Sequence, residues 1–497
     1  MPRKRGRVLF MVICFGVTST VLLSPMWTIN QPPQLLPRKK KEILSTTKPI
    51  VERNPSRRFR NIPLELLRMC EIGSKQPGIY PCYDNIRFNN LYYQHLRLRK
   101  ENIDIYLYSA FHDHRKEKKI RIFGMIIGPE ESVPILKCKF YQRNQTYGFR
   151  EGHYTELYQN IQQNWPVPFT LSCELMEGEP IPDAVSVLPS DSEEVFNILK
   201  VFQRDRNTLS EESHAVSLCV KQLYFVQDLS YLLTEWLEIL KSMEVGKVFA
   251  YGLQPHPNME RVLEHYEDQG GFVDYIPITL PGTQPNIPGP NGQFLPRNAD
   301  FHRGFYHLQL NDCLYRSLVQ GYEYVAVIDV DEMIVPDAPY MTWPKLMQHL
   351  VSENPRYDCY YFLTRIILME EGETTGWLQD HDVKLRHVNA AEFNALPNRV
   401  GKSICVTNQQ ETMSNHYSEM CFPGYRMCYT YHTPRNFGEL YHYGKCSVRD
   451  CAGSGGNGTC DGQSCEVVRK TALLAHGDSV RQGVLHTLQQ LQLLPFS

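Results

Sequence analysis

Apolar runs alternate with helical patterns between residues 215 and 331, and this alternation restricts the possible folds more than any other feature. The runs at 215–220, 247–252, 272–280 and 324–328 have the length of buried strands, and 228–243, 258–269 and 304–319 show helical spacing of apolar residues. Such an order predicts an α/β domain with a mixed, mostly parallel, doubly wound sheet. The Pro- and Gly-rich segment 281–296 is predicted to be a loop, and Gly321 to end the third helix.

A pair of carboxylates follows the last of these strands directly, in the sequence Asp329-Val330-Asp331-Glu332. Alternate residues of a strand face the same side, so Asp329 and Asp331 are expected to project together at its carboxyl end, where α/β sheets bind ligands. Two close carboxylates repel unless a cation relieves them, and Mn²⁺ or Mg²⁺ prefers oxygen ligands. The pattern predicts a metal site whose open positions take the diphosphate of a nucleotide sugar. A solvated acidic turn is the alternative, because Asp-x-Asp is frequent by chance.

The first 27 residues predict a membrane anchor. Four basic residues between positions 3 and 7 precede an uncharged apolar run at 8–23, and Trp27 follows at the expected interface. With its flanks the run is long enough to cross a bilayer as a helix. We therefore expect a cytoplasmic tail at 1–7 and a transmembrane signal anchor at 8–27. A cleaved signal peptide is the alternative, but no Ala-x-Ala cleavage site is visible.

The body of the chain is predicted to lie in the lumen of the secretory pathway. Asn144 and Asn457 begin N-glycosylation sequons, and of the 15 cysteines all but Cys14 follow the anchor. The expected location is the Golgi membrane, with a single-pass type II orientation. A formal net charge of −2 gives no basic excess that would favour nucleic acid as a partner.

Composition divides the rest of the chain. Residues 28–64 are rich in Pro, Lys, Arg and Thr and predict a stem, and 65–210 carry β-like runs at 103–108, 120–127 and 135–141 that predict a small β-rich module. The catalytic domain is expected at 211–446. Residues 447–497 form a Cys- and Gly-rich tail followed by a terminal helix, with Val480, Val484, Leu488 and Leu491 at helical spacing.

Cysteine spacing does not determine which cysteines form disulfides. Cys70 with Cys82, and Cys138 with Cys173, are plausible pairs, but spacing does not determine connectivity. A zinc site in the tail is disfavoured, because Cys446/Cys451 and Cys460/Cys465 are loosely spaced and the compartment favours disulfides.

Several motifs recur in a fixed order through the second half of the chain. Together they resemble glycosyltransferase family 92, whose fold is of the GT-A type, over about residues 212–446. The most specific is the run Ile328 to Pro336, which contains both aspartates. The others are Ser217 to Tyr224, Glu235-Trp236, Asn311 to Arg316, Lys402-Ser403-Ile404, His416 and His442-Tyr443. The family usually has an arginine where Gly444 stands, and the tail after Cys451 is unlike that of the family.

The resemblance implies an inverting, metal-dependent transferase. Its donor would be UDP-galactose, and galactose would pass in β1,4 linkage to terminal galactose or core fucose of N-glycans. It implies that Asp329 and Asp331 hold the metal and the diphosphate and that His442 is a third metal ligand. Lys402 becomes a candidate phosphate contact and Asp312 a candidate contact to donor or acceptor hydroxyls.

The catalytic base is sought among carboxylates downstream of the metal motif, because inversion requires a base on the acceptor side. The candidates are Glu371, Asp380 and Asp382, with Glu370 and Glu373 beside them, and spacing selects none.

Other functions are left open. A transferase of the same fold with another nucleotide sugar, such as UDP-N-acetylglucosamine, is one, and a non-catalytic lumenal glycan-binding protein is another. A secretory-pathway kinase is disfavoured, because the sequence has no Gly-rich phosphate loop with a following strand lysine and no His-Arg-Asp segment.

Overall fold

The computed structural model describes residues 60–63, 80–81, 83–115, 118–128, 133–142, 145–158, 165–204, 215–368, 389–391, 401–418, 420–424, 426–444, 458–460, 463–465 and 467–494. The predicted cytoplasmic tail and anchor lie outside these residues, as does all of the predicted stem except 60–63. Within the described ranges, no helix has both the length and the apolar character needed to cross a bilayer.

The first half of the chain forms an eight-stranded antiparallel sheet that closes on itself. Its order is β1-β2-β3-β6-β5-β4-β7-β8, and β8 returns to pair with β2 in parallel. The strands are β1 Gln94–Leu98, β2 Ile103–Asp113, β3 Lys119–Ile127, β4 Leu136–Gln142, β5 Gln145–Glu156, β6 Val167–Glu174, β7 Ala184–Pro189 and β8 Leu199–Phe202.

Alternating apolar residues build the interior of this barrel-like sheet. Ile105, Ile122 and Phe140 are fully buried there and belong to one apolar cluster, because every second residue of a strand points inward. A disulfide joins Cys138 to Cys173 in the same cluster, which confirms one of the two pairings that spacing left open. Cys70 and Cys82 lie outside the described residues.

The second half of the chain forms the α/β portion. Its strands are β9 Val216–Leu223, β10 Lys247–Gly252, β11 Val273–Pro277, β12 Tyr324–Val327, β13 Glu332–Pro336, β14 Cys359–Leu368, β15 Asn389–Ala391, β16 Gly401–Val406, β17 Gln410–Thr412, β18 Met420–Cys421, β19 Arg426–Met427, β20 Thr430–His432, β21 Gly438–Gly444, β22 Gly458–Cys460, β23 Gln463–Cys465 and β24 Val467–Arg469. Its helices are α1 Ser230–Ser242, α2 Pro257–Asp268, α3 Pro290–Arg297, α4 Ala299–Gln320, α5 Trp343–Glu353 and α6 Gly477–Gln490.

The main sheet runs β11-β10-β9-β12-β16-β14-β15-β24. Its first four strands are mutually parallel, as strand–helix alternation predicts. From β16 onward the sheet is mixed, because β16 pairs antiparallel with both β12 and β14. The prediction of a mixed α/β sheet is therefore confirmed; beyond β16, strand β14 also pairs in parallel with β20 and with β21.

Local sequence explains where the helices begin and end. Helix α4 ends at Gly321, whose φ of 80° lies in the left-handed region that glycine reaches without strain. The predicted loop at 281–296 is wrong in its second part, where α3 forms. Gly289 precedes that helix at a φ of 86° and Pro290 occupies its first turn, a position that tolerates proline. The predicted terminal helix is present as α6, with Val480, Val484 and Leu488 buried.

Helix α4 is enclosed by both halves of the protein. It packs against β9 and β12 on one side and against β2, β3 and β6 on the other. Tyr315 meets Phe111 and Phe123 of the first sheet at ring-centroid distances of 6.0 and 5.0 Å. A disulfide from Cys313 to Cys219 fixes the helix to β9. The amino-terminal end of α4 is thereby held close to the carboxyl ends of the parallel strands.

Because the protein has buried histidines, we expect its free energy of unfolding to fall in acid. Burial lowers the pKa of His112 and of His307 to about 4. The unfolded chain, with histidine pKa values near 6.5, then binds more protons than the folded protein between these two values, so the free energy of unfolding falls as pH drops from about 6.5 towards 4. We expect His112→Gln to flatten this dependence in urea unfolding at pH 7 and pH 5. The exposed His153 provides the control, His153→Gln, which should keep the wild-type slope; equal slopes in both variants would contradict the assignment.

Candidate functional site

The two predicted metal aspartates lie in the turn between β12 and β13. Strand β12 stops at Val327, so Asp329 and Asp331 follow the strand instead of extending it. The backbone N–H of Glu332 donates to the carbonyl oxygen of Asp329 at 2.9 Å, and the N–H of Asp329 donates to Glu332 Oε2 at 3.3 Å. These hydrogen bonds close the turn, which lies at the carboxyl end of a central strand, where an α/β sheet binds its ligand.

Two lysines flank the carboxylate of Asp329. Lys221 Nζ is 3.0 Å and Lys402 Nζ is 3.4 Å from Asp329 Oδ2. Strand register explains both neighbours. Val327 pairs with Cys219 of β9, two residues before Lys221, and Ala326 pairs with Ile404 of β16, two residues beyond Lys402. The sheet therefore brings both ammonium groups to the end of β12.

Lys402 is a structural cation and not a surface contact. Its side chain is 0% exposed, and it donates to the carbonyl oxygen and to Oδ1 of Asn415, both at 3.0 Å. Glu332 Oε2 lies 3.3 Å away. Burial raises the pKa of Glu332, and the Lys402 ammonium acts in the opposite direction. A buried ammonium needs such partners. The predicted phosphate contact of Lys402 is corrected: this group holds the aspartate turn in place from beneath.

Asp331 meets His442 on the other side of the turn. His442 Nε2 is 3.3 Å from Asp331 Oδ2, and the N–H of Tyr443 donates to the carbonyl oxygen of Asp331 at 2.9 Å. The register of β13 with β21 causes this, since Glu332 pairs with His442. The hydrogen bond to Asp331 raises the pKa of His442 above its ordinary value. Two residues more than a hundred positions apart in the sequence, both predicted as metal ligands, are thus neighbours.

The donor set fits a hard divalent cation that shares its ligands with a substrate. Among the described residues, no group of three His, Cys, Asp or Glu side chains forms a ready metal cage. The Asp331 and His442 side chains are 55% and 39% exposed, so a cation can reach both from the solvent. Mg²⁺ and similar ions typically take one or two carboxylates and complete their coordination with water and substrate phosphates. The carboxylate of Asp331 is a ligand of that kind, and the imidazole of His442 places a nitrogen donor beside it.

A cavity of about 360 Å³ opens beside the turn, a size typical of small-molecule sites. The carboxyl end of β9 and helix α1 supply an apolar wall with Tyr224, Phe225 and Leu233, and the turn supplies the polar wall. The alternating pattern of strands and helices predicts that ligands bind at the carboxyl end of β9. His302, near the start of α4, also lines the cavity. The sequence did not predict this position, because it depends on where α4 begins.

Asp312 does not line the cavity beside the aspartate turn. Its side chain is fully buried on α4, where the hydroxyl of Tyr251 donates to it and Arg316 Nε donates to Oδ2 at 2.6 Å. Its predicted contact with donor or acceptor hydroxyls is therefore wrong. This carboxylate compensates a buried guanidinium between the two sheets.

The remaining predicted residues lie outside the described part of the chain. These are the base candidates Glu370, Glu371, Glu373, Asp380 and Asp382 and the sequon residues Asn144 and Asn457.

A known protein family matches the α/β portion of the chain. The model of the family described as Glycosyltransferase family 92 matches residues 214–470. No curated protein matches the chain. Residues 1–349 of TarS from S. aureus are 14% identical over 39% of this chain and 47% of that one, with a TM-score of 0.21. HddC from Yersinia pseudotuberculosis is 7% identical over 46% of this chain and 93% of that one, with a TM-score of 0.23. The chain therefore spans about half of the TarS fragment, and the family match includes both lysines, both aspartates and His442.

Proposed function

Because the chain belongs to glycosyltransferase family 92, we propose that it is a metal-dependent, inverting enzyme that moves galactose from UDP-galactose to a glycan acceptor. The family supplies the reaction class, glycosyl transfer. The observation that carries the metal-dependent proposal is the pairing of Asp331 with His442, 3.3 Å apart, next to a cavity at the carboxyl ends of parallel strands.

The shape of the cavity supports a nucleotide-sugar donor. Its apolar wall, with Tyr224 and Phe225, offers aromatic surface to a nucleobase, and its polar wall offers the aspartate turn to a diphosphate. Lys221 lies between them, partly exposed, and adds a positive charge that favours the diphosphate. Galactose as the transferred sugar follows from the family resemblance.

A bound Mn²⁺ or Mg²⁺ would be held by Asp331 and His442 with Asp329, and it would supply positive charge to the departing diphosphate. The residues of the chain do the positioning. Lys402 fixes Asp329 and Glu332 from below, and Lys221 faces the same carboxylate from the cavity side. This arrangement is set before substrate arrives, which is the condition under which electrostatic stabilisation is most effective.

In the proposed reaction, an acceptor hydroxyl oxygen forms a bond to the anomeric carbon on the face opposite UDP. The bond from that carbon to the diphosphate oxygen breaks, and UDP leaves with the electron pair. The hydroxyl proton passes to a carboxylate base. Glu371, Asp380 and Asp382 are the candidates for this base.

We place the catalytic head in the Golgi lumen, held by a single-pass type II anchor at 8–27 and glycosylated at Asn144 and Asn457. Four disulfides among the described residues support an oxidising compartment: Cys138–Cys173, Cys219–Cys313, Cys359–Cys405 and Cys421–Cys428.

The test is transfer of labelled galactose by the detergent-solubilised full-length chain. Asialo, galactose-ended and core-fucosylated N-glycans serve as acceptors, with Mn²⁺ or with EDTA. We expect transfer that requires the metal and one of these acceptors. Equal rates in EDTA would contradict the metal, transfer only from UDP-N-acetylglucosamine would contradict the donor, and glycan binding without turnover would indicate a binding protein.

A further inference from the structure

Three tyrosines from separate segments lie near the aspartate turn. Tyr306 lies on α4, and Lys221 Nζ, which contacts Asp329, is 5.3 Å from the centre of its ring. Burial raises the pKa of Tyr306 to about 12; the charges of Tyr158, Asp329 and Tyr417 act in the same direction, and that of Arg303 acts against them. Tyr158 follows β5 of the first sheet, and Tyr417 follows β17. The ring of Tyr158 stacks on His307, the neighbour of Tyr306. Tyr417 is two residues from Asn415, which accepts a hydrogen bond from Lys402 beside Asp329.

Stacking fixes the first part of this cluster. The ring of His307 stacks on Tyr158 at 4.7 Å with an interplanar angle of 22°, and on Tyr306 at 5.0 Å with an angle of 26°. Burial keeps His307 neutral by lowering its pKa to about 4. These three rings form a continuous, uncharged aromatic row whose tyrosine members are partly exposed.

Hydrogen bonds fix the segment that carries Tyr417. Asn415 is held by buried Lys402, and the hydroxyl of Ser418 donates to the carbonyl oxygen of Thr412 at 2.7 Å. The N–H of Ser414 donates to the carbonyl oxygen of Tyr417 at 3.3 Å. The Tyr417 residue itself is 54% exposed. A well-held backbone with an exposed aromatic side chain is typical of a binding surface.

The chemistry of the cluster suits a neutral sugar. Aromatic faces pack against the C–H faces of pyranose rings, and the phenolic hydroxyls at the ring edges exchange hydrogen bonds with sugar hydroxyls. The nucleotide has a separate place, because Tyr158, Tyr306 and Tyr417 do not line the apolar cavity beside β9. Among the described residues, two cations lie near Tyr306, and both have a carboxylate partner: Lys221 contacts Asp329 and Arg303 contacts Asp300.

We propose that Tyr158, Tyr306 and Tyr417 form the subsite that binds the acceptor glycan, an inference that rests on the proposed function. Tyr158 lies outside the part of the chain that matches the family, 214–470. The antiparallel sheet of the first half therefore contributes directly to the choice of acceptor.

The experiment compares Tyr158→Ala and Tyr417→Ala with Tyr429→Ala, an exposed tyrosine on another segment that is 64% accessible. Each cluster variant should raise the acceptor KM roughly tenfold, the size expected for the loss of one aromatic packing partner. The KM for UDP-galactose should change far less, and Tyr417→Phe should restore most of the acceptor affinity because it keeps the ring. Tyr429→Ala should match wild type. Thermal unfolding of each variant verifies that it is folded.

An unchanged acceptor KM in both cluster variants would overturn the proposal, and so would a donor KM that rises as much as the acceptor KM. Direct binding separates this proposal from the reaction itself. Saturation-transfer NMR with a galactose-ended N-glycan, in the absence of any donor, should show binding by wild type and by Tyr429→Ala but weakened binding by Tyr158→Ala. No binding by wild type would reject the subsite, whereas binding without transfer would reject only the proposed activity.

Discussion

Asp331→Asn is expected to reduce galactose transfer by roughly 10²- to 10³-fold, the loss that follows removal of one preorganised group stabilising the transition state. The substitution keeps the shape of the side chain and removes its charge. Because that side chain is 55% exposed, little packing is lost, and the free energy of unfolding should stay near that of wild type. Initial rates at saturating donor and acceptor, over a titration of Mn²⁺, measure the effect.

The metal titration makes this prediction specific. Loss of a carboxylate ligand should shift the half-saturating Mn²⁺ concentration upward in addition to lowering the maximal rate. Asp478→Asn is the matched control, since Asp478 is a fully solvated aspartate on α6 with a 97% exposed side chain. Full activity of Asp331→Asn at the wild-type metal concentration would remove this residue from the site.

A second large effect is expected on stability. Glu411→Gln should lower the free energy of unfolding by about 3–5 kcal/mol, because it leaves two buried guanidinium groups with one carboxylate between them. Arg121 Nη2 lies 2.5 Å from Glu411 Oε1, and Arg121 Nε lies 3.3 Å from Asp113 Oδ2. Arg115 joins the same cluster at 2.7 Å from Asp113. All four side chains are buried where the first sheet meets β17.

A double-mutant cycle tests whether this cluster acts as a unit. Arg121→Met alone should be as damaging as Glu411→Gln, whereas the double variant should cost much less than the sum, because it removes both charges together. Urea unfolding followed by tryptophan fluorescence gives the three values. Asp191→Asn breaks the exposed pair with Lys100, whose side chains are 71% and 82% accessible, and should change stability by less than about 1 kcal/mol. Strict additivity in the cycle would show that the cluster is not coupled.

The sequence predicted the strands before the aspartates well, because their signal is local. Tyr324 to Val327 are all buried, and a short run of apolar residues followed by two aspartates is visible without any knowledge of the fold. His442 was reachable only through the family resemblance. Its place beside Asp331 depends on the register of β13 and β21, which no local pattern specifies.

The errors at Lys402 and Asp312 have one cause. A charged residue in a motif suggests a contact with a charged ligand, yet both groups are fully buried and compensate other charges. The burial of Asp312 could not be predicted from the helical pattern, because almost every face of α4 is buried and its apolar residues show little periodicity. Helical periodicity identifies an inner face only when the opposite face meets water.

The enclosure of α4 has a consequence for how this protein diversifies. Helix α4, which carries Tyr306, packs against the main sheet on one side and against the first sheet on the other. Substitutions in β2, β3 and β6 where these strands contact α4 are therefore expected to affect that helix through direct packing. If Tyr158 and Tyr306 bind the acceptor as proposed, changes in the first sheet can alter the choice of acceptor while the aspartate turn stays unaltered.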